Sequence, residues 1–416
     1  MKTLLNSIVK PQDAHPKVRE IVPKSLEKFV QQFTGGGLLE ARFTIGSEKL
    51  WFTLVGASVS AYTSLLEDEE FLGWYETSEF DLVFIDSFFS EFAYAIAYKN
   101  RATFAFISTT APYSWQYDAL GIPVEHSWLP DMQWHYPEDM SLYYRIMNTY
   151  RTLEWLFFRW YSYYPQLEKL FKDRLGLKDM PGFLEFEKNA SLVLANTHYA
   201  EEYGRSLPPF VIPVGGMHCF ESKDSTPKDL EMFMNNSGST GFILVSFGSA
   251  AQITGMRDSL KAIFFESMRK ANTNFLIKWD DEIPSTMPPN VYTASWLPQQ
   301  NILAHPNIKG FITHGGLLGI HEAICSGVPL IVAPVFAEQE YNGNRIHSRR
   351  RGIKIELTTL TQEELDNAIA NLLTDPSYKK NMEEASRLFL DRPQKPLDAA
   401  VWWTEFILRH GPLSLS

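Results

Sequence analysis

The sequence predicts an α/β protein with two domains, each built around a parallel β-sheet. The chain has 416 residues, more than a single hydrophobic core usually organises. Short apolar runs alternate with helical stretches, which is the pattern of parallel strands connected by helices. A stretch rich in proline, glycine and polar residues separates the two halves. Because aromatic residues make up 14% of the chain, disorder is not expected for its bulk.

In the first half, apolar runs predict strands at 80–85, 103–108 and 191–196. The run at 80–85 is bounded by polar residues, so we expect it to be a buried strand. We assign residues 1–218 to a first domain and 219–240 to a linker, because prolines, a glycine pair and a polar run cluster there.

The second half alternates more regularly, which assigns 241–395 to a second domain and 396–416 to a closing helix. The predicted strands are 242–247, 275–279, 311–313 and 330–333. The predicted helices are 259–270, 317–325, 361–373 and 376–389.

Charge and composition exclude several classes of protein. The net charge is −11 and the longest basic run is the three arginines at 349–351, so a nucleic-acid partner is not expected. Two cysteines, Cys219 and Cys325, are too few for a disulfide framework. The chain contains no stretch of about 18 apolar residues, so no transmembrane helix is predicted.

The most informative segment is the turn between the strand at 311–313 and the next helix. His314, Gly315 and Gly316 follow the strand, and the glycines let the backbone approach a ligand because they lack Cβ. The first turn of a helix has unpaired N–H groups and a partial positive charge, so a diphosphate fits there. A tight turn that merely closes a βα unit is the alternative. The spacing is not that of a dinucleotide fingerprint.

The surroundings of this turn are more specific. Trp296-Leu-Pro-Gln299-Gln-Asn lies upstream, and Pro334-Val-Phe-Ala-Glu338-Gln339 lies downstream. The run 296–344 resembles the signature of the UDP-glycosyltransferases, the family of the animal UDP-glucuronosyltransferases and their invertebrate glucosyltransferase relatives. Other segments similar to this family are 191–219, 245–249 and 396–410.

The resemblance implies the GT-B fold, with two Rossmann-like domains and the UDP-sugar held mainly by the second. It also implies that the N-terminal domain is incomplete, without its first strand and loop, and that the final helix returns toward that domain. The family's C-terminal membrane helix is likewise expected to be missing. We therefore expect a chain shortened at both ends.

The resemblance also implies a set of donor-binding residues, which are Gly248, Ser249, Trp296, Gln299, His314, Gly315, Gly316, Gly319, Glu322, Glu338 and Gln339. Trp296 would stack on uracil, Gln299 would pair with its edge, and Glu322 would accept hydrogen bonds from the ribose hydroxyls. Gly248, Ser249 and the His-Gly-Gly turn would hold the diphosphate. For single residues, a core anchor at Trp296 and a solvated helix face at Glu322 remain alternatives.

Glu338 and Gln339 would hold the sugar hydroxyls, although Gln339 considered alone is equally an ordinary loop residue. Two positions depart from the family. Glu338 stands where Asp is common, and Leu318 stands where vertebrate members often have Asn. No metal-binding cluster is evident, so we expect no metal and no cofactor, with UDP-glucose or UDP-glucuronate as co-substrate. The helix end and His314 would meet the leaving-group charge.

In the family, a His near the start of the mature chain takes the acceptor proton and an Asp orients it. Asp86 resembles that Asp, with a helix N-cap as the alternative. His15 lies in a segment that resembles a later part of the fold, so we interpret it as a surface residue and expect the general-base His to be absent. The function is then either inverting transfer of a hexosyl group to a hydroxyl or binding of a UDP-sugar without turnover.

Aromatic residues are dense at 113–164, which in the family helps to build the acceptor pocket. This density predicts a small lipophilic acceptor, with an interfacial patch and ordinary core packing as alternatives. Relatives are anchored in the endoplasmic reticulum membrane on its lumenal side, and a homo-oligomer is a further expectation. The proposed role of such an enzyme is detoxification.

Overall fold

The computed structural model describes residues 21, 23–26, 37–219, 225–248 and 251–411. Within these residues, the strands are β1 (Leu82–Asp86), β2 (Thr103–Ser108), β3 (Val193–Ala195), β4 (Val211–Pro213), β5 (Phe242–Ser246), β6 (Asn274–Lys278), β7 (Val291–Ala294), β8 (Ile308–Thr313), β9 (Leu330–Val332) and β10 (Gly352–Lys354).

The described helices comprise nine in the first part of the chain, and these are α1 (Gly37–Thr44), α2 (Ser47–Leu65), α3 (Glu69–Thr77), α4 (Phe92–Asn100), α5 (Ser114–Ala119), α6 (Leu142–Phe158), α7 (Tyr164–Leu175), α8 (Phe183–Glu187) and α9 (Lys228–Asn236). Those that follow are α10 (Asp258–Lys270), α11 (Gln299–Leu303), α12 (Leu317–Cys325), α13 (Gln339–Ser348), α14 (Gln362–Thr374), α15 (Pro376–Leu390) and α16 (Pro396–His410). A π-helical turn joins α6 to α7, and a short 3-10 helix precedes α10.

The chain divides into two compact units. The first includes residues 51–215 and the segment from 394 onward, and the second includes 37–50 and 216–393. Residues 37–50 therefore belong to the second unit, whereas the sequence assigned them to the first domain. Helix α16 belongs to the first unit and contacts β4 there.

The first unit contains a parallel sheet with the strand order β1-β2-β3-β4. Strand β1 is at the edge of the sheet formed by the described residues, and it begins two residues later than predicted. Ile85 is buried, but Phe84 is 40% exposed, so the expectation of a fully buried strand is wrong. An edge strand has a sheet neighbour on one side only, and apolar composition cannot reveal that position.

The second unit contains a six-stranded parallel sheet with the order β10-β9-β8-β5-β6-β7. The chain runs outward from β5 through β6 and β7, and then crosses to the other side of β5 to form β8. Parallel sheets bind ligands at such a switch point, outside the carboxyl ends of the strands. The register pairs Ser246 at the end of β5 with Thr313 at the end of β8, so the segments that follow these strands emerge side by side.

The core of the second unit is apolar on both faces of this sheet. Leu244, Leu276, Phe311 and Val332 are fully buried, and α12 and α15 contribute further members of the same cluster. Central parallel strands are covered by helices on both faces, so they read as continuous apolar runs rather than as alternating patterns. Because β5, β6 and β8 are continuous apolar runs, they could be predicted from the sequence.

The structure adds elements that the sequence analysis did not assign. The predicted linker at 219–240 contains helix α9, which buries Leu230 and Met234 against the second core. Strands β4, β7 and β10 are three or four residues long, too short to show a period. No helix in the described ranges combines the length and apolar character needed to cross a membrane.

We expect Leu276→Ala to lower the free energy of unfolding by about 2–5 kcal/mol, because it leaves a cavity among fully buried side chains. Leu388→Ala on α15 is the matched control, since that side chain is 50% exposed and loses little packing. Urea denaturation of both variants measures the difference. Equal losses in the two variants would show that Leu276 is not part of a tightly packed core.

Candidate active site

The turn after β8 is closely packed around the ring of His314. A Cβ at Gly248 would lie 3.0 Å from the ring's Cε1, and a Cβ at Gly316 would lie 2.7 Å from its Nε2. Gly315 has φ +90°, and its Cβ would lie 2.6 Å from Cγ1 of Val332. Glycines are needed here because side chains would displace the ring or the adjacent strand. The structure thus brings together the predicted residues Gly248, His314, Gly315 and Gly316.

His314 is an uncharged donor in this site. Burial lowers the pKa of its imidazole to about 4, so the ring is neutral at pH 7 and carries one N–H. Its Nδ1 lies 3.4 Å from Oγ1 of Thr313. A neutral ring can donate one hydrogen bond to a phosphate oxygen, but it supplies no net positive charge.

Positive charge comes from Lys278, which the sequence analysis did not assign. Lys278 ends β6, and its Nζ donates to the carbonyl oxygen of Gly248 at 3.3 Å. Burial lowers the pKa of this ammonium below its usual value. A Lys at the carboxyl end of a predicted strand was the signal that could have identified it, because such strand ends line the ligand site of a parallel sheet. The first turn of α12 adds backbone N–H groups and the partial positive charge of a helix N-terminus.

A second cluster forms between α11 and α12. The side-chain amides of Gln299 and Gln300 both donate to the carboxylate of Glu322, the latter at 3.0 Å. A Cβ at Gly319 would lie 3.5 Å from Nε2 of Gln299. Trp296 precedes this cluster and is 46% exposed. Glu322 is therefore not a solvated helix residue, because its two carboxylate oxygens are already hydrogen-bonded to amides.

Glu338 precedes α13 as its N-cap residue, and its side chain reaches the start of α12. Its Oε1 accepts a hydrogen bond at 3.3 Å from the backbone N–H of Leu317, the first residue of that helix. Burial raises the pKa of this carboxyl to about 7. Glu338 thus contacts one of the amides proposed to hold the diphosphate. The longer side chain, compared with the Asp common in the family, permits this reach.

The loop before α13 is held by Gln339. Its Oε1 accepts from the backbone N–H groups of Val335 at 2.9 Å and Phe336 at 3.0 Å. Ala337, which follows Phe336, has φ +57°, a left-handed conformation that is costly for a residue with a Cβ. The side-chain oxygen of Gln339 therefore accepts hydrogen bonds from its own loop, so the predicted contact with a sugar hydroxyl would have to come from the side-chain nitrogen.

Asp86 belongs to the first unit, so the predicted site residues are divided between the two units. It ends β1, and its Oδ1 accepts from the backbone N–H of Phe88 at 2.8 Å. The N-cap residue of α4 is Glu91, so the N-cap interpretation of Asp86 is wrong. Burial raises the pKa of the Asp86 carboxyl to about 6.

The aromatic stretch at 113–164 has two different environments. Tyr113, Trp115 and Trp155 are buried, and the ring of Trp51 lies 5.8–6.0 Å from each of theirs. Phe88, two residues after Asp86, also packs on Trp51, with ring centroids 5.7 Å apart. By contrast, one face of α6 and the adjoining turn is exposed, and its apolar members include Tyr143, Ile146, Tyr150, Phe157 and Tyr161. Buried core packing therefore accounts for part of the aromatic stretch.

Two residues from the sequence analysis, Ser249 and His15, lie outside the described residues. Among the residues that are described, no group of three or more His, Cys, Asp or Glu side chains is placed to hold a metal ion.

The two parallel sheets and the glycine turn define a glycosyltransferase fold of the GT-B class. Among solved structures, the glycotransferase of kitacinnamycin is similar with a TM-score of 0.56 and 18% identity, covering 85% of this chain and 82% of that one. The calicheamicin glycosyltransferase CalG4 is similar with a TM-score of 0.56 and 17% identity, covering 88% of this chain and 84% of that one. These likenesses confirm the fold predicted from the sequence.

A family model described as "UDP-glucoronosyl and UDP-glucosyl transferase" matches residues 18–412. UDP-glycosyltransferase UGT5 of Dactylopius coccus is 31% identical over 80% of this chain and 63% of its own length. Human UDP-glucuronosyltransferase 1A6 is 29% identical over 83% of this chain and 64% of its own length. The chain therefore belongs to the UDP-glycosyltransferase family, and it spans less than two thirds of these two relatives.

We expect Gly316→Ala to weaken UDP binding by about tenfold or more, because the new Cβ would collide with the His314 ring, which we expect to donate a hydrogen bond to the diphosphate. Gly73→Ala is the control, since a Cβ there meets nothing within 4 Å. Isothermal titration calorimetry measures the affinity, and circular dichroism verifies the fold. Unchanged affinity of the Gly316 variant would refute this packing.

We also expect the affinity for a UDP-sugar to fall as pH rises through about 7. Glu338 is largely neutral below its raised pKa and anionic above it, and the anion repels a diphosphate. The affinity should fall by at most about tenfold per pH unit, because the binding is linked to the titration of one carboxyl group. UDP-sugars are the right probe because their diphosphate does not titrate here, whereas UDP itself does. Glu338→Gln should abolish the pH dependence, and a slope that persists in this variant would assign it to another group.

Proposed function

We propose that this protein transfers a hexosyl group from a UDP-sugar to a hydroxyl of a small lipophilic acceptor, with inversion and without a metal. The observation that carries this proposal is a juxtaposition of three parts of the second unit. The glycine turn, the Gln299–Glu322 cluster and the loop ending at Gln339 all adjoin α12, at the carboxyl ends of β8 and β9. Base, diphosphate and sugar are the three parts of one UDP-sugar.

The uridine would bind beside α11 and α12. Trp296 offers an exposed ring for stacking, and Gln299 offers an amide for the uracil edge. Ribose hydroxyls would donate to Glu322, whose oxygens now accept from two glutamine amides. Binding would therefore exchange internal hydrogen bonds for ligand hydrogen bonds. This exchange lets the buried polar groups remain satisfied in both states.

The diphosphate would lie at the N-terminus of α12. The amides of the first turn, the N–H of neutral His314 and the ammonium of Lys278 would stabilise the negative charge that develops on the departing UDP. Together they supply the role that a divalent cation has in other nucleotide-sugar sites. This arrangement supports the proposal that transfer needs no metal.

In the transfer step, the acceptor oxygen forms a bond to the anomeric carbon while the bond from that carbon to the UDP oxygen breaks. Attack from the face opposite UDP inverts the configuration. The acceptor proton would pass to a general base. Because the family's histidine for that role is expected to be absent from this sequence, the candidate proton acceptor is Asp86, whose carboxyl has its pKa raised by burial to about 6. Phe88, which is half-buried and packs on Trp51, would contribute an apolar surface for the acceptor.

The test is a donor panel of UDP-glucose, UDP-glucuronate and other UDP-sugars, measuring UDP release with and without a phenolic acceptor. We expect one donor to give acceptor-dependent release, and UDP but not ADP to raise the melting temperature. Glu322→Ala should remove the protection by UDP, because the ribose hydroxyls lose their acceptor. Glu363→Ala, an exposed glutamate on α14, should keep it.

Two other results would change the conclusion. Protection by UDP without release from any donor would favour the alternative function, binding of a UDP-sugar without turnover. No protection by any uridine nucleotide would refute both functions.

A further inference from the structure

Helix α1 contributes a buried cation to the donor-binding unit. Arg42 is 7% exposed, and its guanidinium is paired with the carboxylates of Glu340 and Glu356. Glu340 is 2% exposed and also pairs with Lys354. A buried carboxylate is stable only when it is paired, so the position of Glu340 depends on these cations.

A second, exposed contact attaches α1 to the same unit. The guanidinium of Arg257 donates to both oxygens of Glu40, at 2.9 and 2.7 Å, and lies 4.3 Å from the ring centroid of Phe43. Exposed ion pairs of this kind contribute little free energy because water and salt screen them. The two attachments therefore differ in burial, and only the first reaches α13.

Helix α13 connects Glu340 to the donor site. Glu340 follows Gln339, whose side chain holds the backbone of the sugar loop at 335–336. Asn342 lies about one turn after Gln339 on the same face of α13, and its Nδ2 donates to the carbonyl oxygen of Gly315 at 2.9 Å. The N-terminal turn of α13 thus joins the buried ion pair on one side to the sugar loop and the glycine turn on the other.

We propose that Arg42 is a positioning residue for the sugar part of the donor. By pairing with Glu340, it holds the first turn of α13 where the amide of Gln339 and the carboxyl of Glu338 reach the sugar. The proposal rests on the proposed function, because it assumes that this loop faces the sugar of a UDP-sugar. The Gln299–Glu322 cluster on α11 and α12 has its own hydrogen bonds, so we expect binding of the base and ribose not to depend on Arg42.

The test compares the affinities for UDP and for the UDP-sugar that gives the largest thermal protection in the donor panel. Arg42→Met removes the charge and keeps much of the side-chain volume. We expect it to weaken UDP-sugar binding by about tenfold, while UDP binding changes by less than about threefold, because hydrogen bonds to the sugar alone are lost. Arg42→Lys retains a cation and should restore part of the loss. Calorimetry gives both affinities.

Arg257→Met is the matched control, because it breaks the exposed attachment of α1 and leaves Glu340 paired. We expect this variant to keep both affinities. A merely structural role of Arg42 would lower the melting temperature and leave the ratio of the two affinities unchanged. That result, or an equal loss for UDP and UDP-sugar, would overturn the proposal.

If Arg42→Met does not fold, the double variant Arg42→Met with Glu340→Gln removes the buried carboxylate, which would otherwise keep only Lys354 as its cationic partner. We expect the double variant to fold and still to bind the UDP-sugar about tenfold more weakly than the wild type, because the ion pair between Arg42 and Glu340 no longer holds α13. If the double variant keeps the wild-type ratio of the affinities for UDP and UDP-sugar, the proposal is overturned. Wild-type protein that binds neither ligand would instead refute the proposed function, which keeps the two failures distinct.

Discussion

The ring of His314 packs between the backbones of Gly248 and Gly316, and the donor site depends on that contact. Gly248 follows β5 and Gly316 follows β8, two strands that are distant in sequence. The parallel pairing of these strands brings the two glycines side by side. Only residues without Cβ allow the ring to lie so close to both backbones. The same contact aligns the first turn of α12, the imidazole N–H and Lys278 around one small volume. An anion that enters this volume meets three kinds of donor at once.

Without a ligand, the polar groups of this volume are satisfied by one another. Glu322 accepts from two glutamine amides, Glu338 accepts from the first amide of α12, and Gln339 accepts from its own loop. Burial makes such internal hydrogen bonds necessary, since an unpaired buried group is costly. On the proposed function, donor binding would exchange these internal hydrogen bonds for hydrogen bonds to the ligand. The affinity for a UDP-sugar would then reflect the difference between two hydrogen-bonded states, and it would depend on the charge on Glu338 and on the buried pair of Arg42 and Glu340.

Much of the second unit could be predicted from its sequence. Strands β5 and β6 lie within one residue of their predicted limits, β8 begins three residues earlier than predicted, and α12 matches its predicted limits. These elements have strong local patterns, because central strands are apolar throughout and α12 has a glycine start and a serine-glycine end. Strand β4 and helix α9 were not predicted, since the former has three residues and the latter lies within a segment rich in turn formers. In the first unit, the edge position of β1 could not be predicted, because it depends on which strands pair with β1 in the folded sheet.

By itself, the sequence determined the α/β class, the glycine turn, the family and the residues proposed to bind a UDP-sugar, because these depend on local patterns and ordered spacing. Only the tertiary structure decided which of those side chains touch. It paired Glu322 with Gln299 and Gln300, placed the side chain of Glu338 at the start of α12, brought Lys278 to Gly248, and buried Arg42 against Glu340. The physical reason is that buried charges and amides choose partners by proximity across the fold, and separation along the chain does not encode that proximity.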